Sequence, residues 1–382
     1  ETGVVGGVAS GVQGSLSLIR TDPRVGATMV GRVGVSTDGL GTPNTGTLQV
    51  ELPAGSTIEL AILHVVTRTS GNVALPGAQP SMIGFEGQSV PITYLTNVGD
   101  AVASGANFET GKVDVTSIVA SRIGSAGGLF DFAVDETVTG VAANVEGTSL
   151  TVVYSNPNLP VQTVLVLEGG LTGPTPQRTR LEFKEPVLNL PAQSAQMSLG
   201  IQFSANNNGV QFSQIDVNGQ RLTTSAGHFD DSIAPANGAL ITVGGVGDSP
   251  NNPINPFSTS DLTDDERYDL TPFIRNGDTE LTIETSNPSD DDSIFLAVFL
   301  FPGDVAIGGR GAPGDWRGVQ FNQYSNDRNV VQIDEVERAF SEGRDTNRTP
   351  TSAQVLGELA KDEKSGDERR RLGFEVHGNS SF

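Results

Sequence analysis

The chain has 382 residues, no cysteine, 23 Lys plus Arg against 45 Asp plus Glu, and a formal net charge of −22. The absence of thiols excludes disulfides, cysteine-type zinc sites, iron–sulfur clusters and thiol catalysis. Three histidines, His64, His228 and His377, leave little for a multi-histidine metal centre. The acidic excess excludes a broad nucleic-acid surface and disfavours an anionic membrane, because phosphate recognition needs Lys and Arg.

The length fits two or three domains. No apolar run reaches the roughly 18 residues of a transmembrane helix. The sequence starts at Glu1, so either a leader has been removed or Glu1-Thr2-Gly3 is an expression remnant; both fit export.

Residues 1–45 are rich in Gly, Val, Ser and Thr. They read as an extended N-terminal segment with one strand, Gly14 to Arg20, available for exchange with a neighbour. Over 46–170 apolar residues recur with period two, as at Leu48, Val50 and Leu52 and again at Ile58, Leu60 and Ile62. That is strand periodicity, and Gly and Pro punctuate it at short intervals. Residues 171–177 are turn-rich and read as a linker. A second β-rich stretch covers 178–309. The predicted fold is all-β: two tandem antiparallel, jelly-roll-like β-sandwiches.

Residues 310–382 differ in character. Helical spacing appears over Gln332 to Phe340, and Thr351-Ser352 suits the start of a helix over Ala353 to Lys361. Asp362 to Arg371 is densely charged, and Leu372 to Gly378 reads as a final strand. The expectation is a short helical, charged segment whose strand pairs elsewhere or opens a further part of a longer protein. Residues 330–382 carry 11 acids and 8 bases, so most of the net charge lies upstream.

The two β stretches share landmarks in the same order. Phe85-Glu86-Gly87-Gln88 matches Val217-Asn218-Gly219-Gln220. Asp114-Val115-Thr116 matches Asp269-Leu270-Thr271. Leu150 to Pro157, ending Ser-Asn-Pro, matches Leu281 to Pro288. Gly87 to Gly219 is 132 positions, Asp114 to Asp269 is 155, and Ser155 to Ser286 is 131. On this alignment the second copy has an insertion between its first two landmarks, and the first copy a compensating one over Gly124 to Gly147. The Asp-x-Thr landmark predicts an Asx or capping turn leading into a short helical turn across the end of the sandwich.

The strongest chemical signal is the acidic insertion of the second copy: Asp230, Asp231, Asp248, Asp261, Asp264, Asp265 and Glu266, with Asp290, Asp291 and Asp292 further on. Carboxylates gathered in loops repel unless a cation joins them, and calcium accepts six to eight oxygens in irregular geometry. Structural calcium bound by these aspartates and a plain solvated acidic face are the two readings. His228 beside Asp230 reads as a surface residue. His64 lies in the apolar strand Ala61 to Val66 and faces the sheet interior or its edge. Gly244-Gly245-Val246-Gly247 lacks the following helix and Lys of a phosphate cradle and reads as a turn. Lys112 and Lys184 are the only lysines of the β regions, hence the only candidates for an isopeptide crosslink. No serine elbow marks an enzyme. Asp and Glu pairs are plentiful, but a glycosidase needs them at a defined separation that a sequence does not show.

With these motifs in hand, the chain resembles exported bacterial and archaeal surface β-sandwich domains of unknown function, present as two tandem copies. Asp114-Val115-Thr116 and Leu150 to Gly170 carry the likeness in the first copy. Leu222 to Gly227, Ile241 to Ser249, Asp264 to Leu270 and Ser286 to Phe295 carry it in the second. The resemblance implies an extracellular or cell-surface location, membership of a large exported protein and no catalytic residues. The expected function is a non-enzymatic structural or adhesive surface protein, a filament or surface-layer subunit assembling by terminal strand exchange. Its partners would be copies of itself or other surface proteins. The alternative is a calcium-assisted carbohydrate-binding module.

Overall fold

Alternating apolar residues build strands whose two faces meet different neighbours, and here they build four stacked sheets. The structure is a computed structural model. It describes residues 17–18, 28–41, 45–70, 80–95, 100–101, 106–137, 144–171, 176–183, 186–202, 213–227, 241–259, 266–289, 292–303 and 305–307. The C-terminal segment 310–382 lies outside the described residues.

In chain order the strands are β1 (Ser17–Leu18), β2 (Thr28–Gly31), β3 (Val33–Gly41), β4 (Thr45–Leu52), β5 (Thr57–Ser70), β6 (Met82–Phe85), β7 (Gln88–Pro91), β8 (Thr93–Tyr94), β9 (Asp100–Ala101) and β10 (Ala106–Asp114). The helix α1 (Thr116–Ile123) precedes β11 (Gly128–Asp135), β12 (Asn144–Ser155), β13 (Gln162–Leu171), β14 (Gln177–Phe183), β15 (Gln196–Gln202), β16 (Ser213–Val217), β17 (Gln220–Ala226), β18 (Ile241–Val243) and β19 (Arg267–Asp269). A 3-10 turn (Thr271–Phe273), β20 (Glu280–Ser286), β21 (Ser293–Pro302) and β22 (Val305–Ile307) complete the described elements.

The first outer sheet has the order β4-β11-β6-β7, and the first inner sheet β3-β12-β5-β10, with β8 and β9 beside β10. The second inner sheet centres on β13-β21-β15; β1 and β2 line β13, and β18 and β19 line β15. The second outer sheet is β17-β16-β20-β14-β22. Every pairing is antiparallel.

Three apolar layers hold the stack. Leu48, Leu63, Phe85, Phe132 and Leu150 fill the space between the first outer and inner sheets. Leu167, Leu181, Ile215, Phe299 and Phe301 do so between the second pair. Between the two inner sheets lie Ile62, Val66, Val164, Val166, Phe295 and Val298. Both faces of β5, β12, β13 and β21 are therefore buried, which explains why β21 reads Ile-Phe-Leu-Ala-Val-Phe-Leu-Phe without alternation.

Two landmarks of the duplication match atom for atom. Glu86 and Gly87 have φ of 49° and 71°; Asn218 and Gly219 have 50° and 73°. Both pairs close two-residue hairpins of the left-handed type that suits strand twist. Thr116 N–H donates to Asp114 Oδ1 at 2.9 Å, and Thr271 N–H to Asp269 Oδ1 at 2.9 Å. Val115 N–H reaches Ala61 O, as Leu270 N–H reaches Ala195 O. Ala61 N–H and Ala195 N–H donate in turn to Thr116 Oγ1 and Thr271 Oγ1. The predicted short helical turns follow in both copies.

The third landmark does not match. β12, ending at Ser155, belongs to an inner sheet, whereas β20, ending at Ser286, belongs to an outer one. By pairing, β11 corresponds to β20 and β12 to β21. Gly124 to Gly147 is thus no insertion: it carries β11, an ordinary strand with its counterpart in the second copy. Similar Ser-Asn-Pro strand ends occur at different corners of the fold.

The inner sheets run with the same sense. Gln162 Nε2, at the start of β13, donates to Val33 O at the start of β3 (2.6 Å). At the far end Gly147, opposite Gly41, abuts Ile241, opposite Gln202. The sheet containing β13 also crosses the expected linker, because β13 lies within 46–170 except for Leu171, in the expected linker itself, and its partner β21 lies within 178–309. β3, in turn, lies within the segment 1–45 yet pairs along β12.

At the end of β11, Glu136 is buried with Oε1 accepting from Thr148 Oγ1 (2.8 Å). Burial pushes its carboxyl up to about 7. A carboxyl whose folded pKa is raised costs stability as pH rises from the unfolded pKa through the folded one. Glu136→Gln keeps the Thr148 contact and removes that cost. Denaturant unfolding should show the variant more stable above neutrality, by on the order of 3 kcal/mol, with no gain in acid where both forms are neutral.

Candidate functional site

The middle layer contains a charged group formed by His64, Lys112 and Glu168. His64 on β5 and Lys112 on β10 are cross-strand partners whose side chains face the second inner sheet. From β13, Glu168 reaches back between them. Its Oε1 meets Lys112 Nζ, and its Oε2 lies 3.2 Å from His64 Nε2. Side-chain exposure is 0% for His64, 3% for Glu168 and 16% for Lys112. The Phe295 ring lies against the imidazole, with centroids 6.1 Å apart. Thr110 Oγ1 adds a bond to Gly169 O across the same interface (3.4 Å).

This arrangement joins the two halves of the chain through a pair of opposite charges withdrawn from water. Such a pair fixes alignment more than it adds net stability, since desolvation offsets much of the attraction. Sequence reasoning placed His64 in the sheet interior or at its edge and missed Glu168. The available signal was a lone carboxylate inside the apolar strand Val164 to Leu171. Lys112, one of the two crosslink candidates, has this carboxylate as its partner; the other, Lys184, lies outside the described residues.

The insertion of the second copy interrupts a strand. β18 and β19 pair with successive halves of β15, Ile241–Val243 with Gly200–Gln202 and Arg267–Asp269 with Gln196–Ser198. Between them Gly244 N–H donates to Leu199 O, and Leu199 N–H to Glu266 O. The chain therefore leaves the sheet after Gly244 and rejoins it at Glu266, at one ladder position. In the first copy the equivalent strand, β10, is unbroken. The exit needs two glycines. A Cβ on Gly244 would sit 2.2 Å from Glu266 O, and one on Gly245 2.0 Å from Thr37 O.

The described part of the insertion is pinned at each step. Val246 N–H donates to Thr37 O of β3 (2.8 Å), and Arg267 Nη1 donates to the carbonyls of Gly245 and Asp248. Asn252 exchanges two bonds with the Asp269 backbone, at 2.8 and 2.9 Å. Pro256 O accepts from Thr224 Oγ1 (2.8 Å), and the Arg221 guanidinium stands 5.9 Å from the Phe257 ring centre.

Of the nine candidate calcium ligands, Asp230, Asp231, Asp261, Asp264, Asp265, Asp290 and Asp291 lie outside the described residues. Asp248 folds its own turn, with Oδ2 accepting from Gly245 N–H (2.5 Å). Asp292 is fully buried at the start of β21, where Oδ2 accepts from Ser213 Oγ (3.3 Å) and its carbonyl from Asn287 Nδ2 (2.8 Å). Among the described residues no group of three or more His, Asp or Glu is placed to hold a metal ion. No described helix is long and apolar enough to cross a membrane.

No family model matches the chain, and no curated protein matches it. Among solved structures, a chain of the Sulfolobus Turreted Icosahedral Virus structure is similar at 10% identity and a TM-score of 0.16. The match covers 71% of this chain and 61% of that one. At that score the likeness carries no weight; the strand order and hydrogen bonds above are this chain's own.

Replacing Glu168 by Leu leaves Lys112 and His64 facing apolar surface without a counter-charge. Urea unfolding should show a loss of about 3–5 kcal/mol. The double variant Lys112→Met/Glu168→Leu, which removes both charges, should lose much less.

Proposed function

We propose that the chain is a non-enzymatic structural subunit of an extracellular or cell-surface assembly, built from two tandem jelly rolls. In each unit, strands one, eight, three and six form the inner sheet, and two, seven, four and five the outer sheet. That order is the eight-stranded, double-Greek-key arrangement found in coat and lectin domains. On this reading the units are 33–155 and 162–302, shifted towards the N-terminus from 46–170 and 178–309. The last strand of the first stretch is the first strand of the second unit.

The observation that carries the proposal is the parallel, face-to-face junction of the two units through a buried layer. It makes one rigid block with a defined polarity. The connections β3–β4, β5–β6 and β11–β12 leave at one end, together with β13–β14, β15–β16 and β20–β21. A block of that kind suits side-by-side tiling, where every subunit must present the same end outward. Turns and short helices occupy the other end.

Assembly by terminal strand exchange fits the same geometry. β1 covers only Ser17–Leu18, opposite Glu168 and Leu167 on the outer edge of β13. Residues 19–27 separate it from β2, enough chain for roughly 30 Å of reach. In the assembly β1 lies on the β13 edge of a neighbouring copy, which gives that open edge a strand.

Sedimentation velocity and negative-stain electron microscopy on the full chain test this. The expected result is concentration-dependent higher-order species that disappear when residues 1–27 are deleted, with the melting temperature little changed. Monomers alone at every concentration would overturn the assembly reading. Higher-order species that persist unchanged after the deletion would remove strand exchange.

A further inference from the structure

The chain carries a net charge of −22, so two copies approaching at random repel. Uncharged surface among the described residues escapes this, at 186–194 and on the insertion. On the insertion, residues 249–259, Ser-Pro-Asn-Asn-Pro-Ile-Asn-Pro-Phe-Ser-Thr, contain no charged side chain. This is the stretch that the interrupted strand pushes out of the second inner sheet.

It presents apolar surface outward. Ile254 is fully exposed (102%), and Phe257 is 70% exposed, the two largest such exposures on the insertion. Both are held in place. Asn252 is bonded twice to the Asp269 backbone, Pro256 O is bonded to Thr224, and Phe257 rests beside Arg221. Pro253 and Pro256 restrict the backbone on either side of Ile254. Little conformational entropy is left to lose on binding, which is the condition for a preorganised contact.

We propose that the Ile254–Phe257 tip is a contact surface for a second copy of this chain. The occupant follows from the charge. A basic partner would be drawn to the acidic faces elsewhere on the molecule and would not need an uncharged patch. A second copy, bearing the same excess of carboxylates, meets least repulsion where neither partner has charge. The contact rests on the assembly reading above and names a surface of it distinct from the exchanged strand.

The test is sedimentation equilibrium on the full chain at low and high salt, for wild type, Ile254→Asp and Ile254→Asp/Phe257→Asp. Ile254 buries nothing within the chain, so its single variant should melt as wild type does and isolates association from folding. Wild type should associate more tightly as salt screens the net charge. Each variant should weaken association by roughly tenfold or more, the effect of placing a charge where an Ile side chain would be buried. Unchanged association of Ile254→Asp overturns this inference while leaving the assembly reading intact. A wild type that stays monomeric at every concentration and salt overturns both.

Discussion

The layer between the two inner sheets holds the four described sheets in one stack. Ile62, Val66 and Val153 on one sheet meet Val164, Val166 and Val298 on the other. Each of these strands also buries its opposite face against an outer sheet. An antiparallel sheet normally keeps one face wet, so a lone sandwich would leave Leu60, Ile62 and Val66 of β5 in water. The hydrophobic effect closes that face with the second inner sheet. The remaining features follow from the closure. The Glu168 carboxylate is withdrawn from water because β13 carries it into the layer. Gly244 and Gly245 are required because the insertion leaves where Glu266 and β3 crowd the backbone.

The charged group and the apolar layer divide the work. Apolar burial is non-directional and tolerates sliding of one sheet over another. A carboxylate that must meet Lys112 and His64 at once does not. Misalignment by one residue would turn Glu168 to the other face of its strand and leave Lys112 unpaired. The same logic governs the edges of the fold. β4 has its outer N–H groups met by side chains of β3, Gln49 by Asp38 Oδ2 (2.5 Å) and Glu51 by Ser36 Oγ (3.0 Å). β13 instead has its outer edge met by β2 and β1. The N-terminal segment therefore covers the edge of the second inner sheet.

Much of the local structure was legible from the sequence, because short-range chemistry produced it. Period two at Leu48, Val50 and Leu52 gave β4, Glu86-Gly87 and Asn218-Gly219 marked equivalent hairpins, and Asp-x-Thr marked equivalent turns. The global assignment was less legible where one signal had two structural origins. Ser-Asn-Pro ends an inner strand at Asn156 and an outer strand at Asn287, and no local cue separates them. The apolar run Val164 to Leu167 falls in the first β-rich stretch and Ile294 to Leu300 in the second, yet the two pair with each other in one sheet. Glu168 was legible only as an oddity, because its partners are more than 50 positions away at Lys112 and 104 away at His64. The insertion was seen as acidic, whereas its described portion is uncharged between Asp248 and Asp261.

The central claim is that both units form one body through the middle layer. Differential scanning calorimetry on the full chain tests it most directly. The account predicts one cooperative transition, with the calorimetric enthalpy equal to the van't Hoff enthalpy for the combined units. Two resolved transitions, with Glu168→Leu shifting neither, would contradict it.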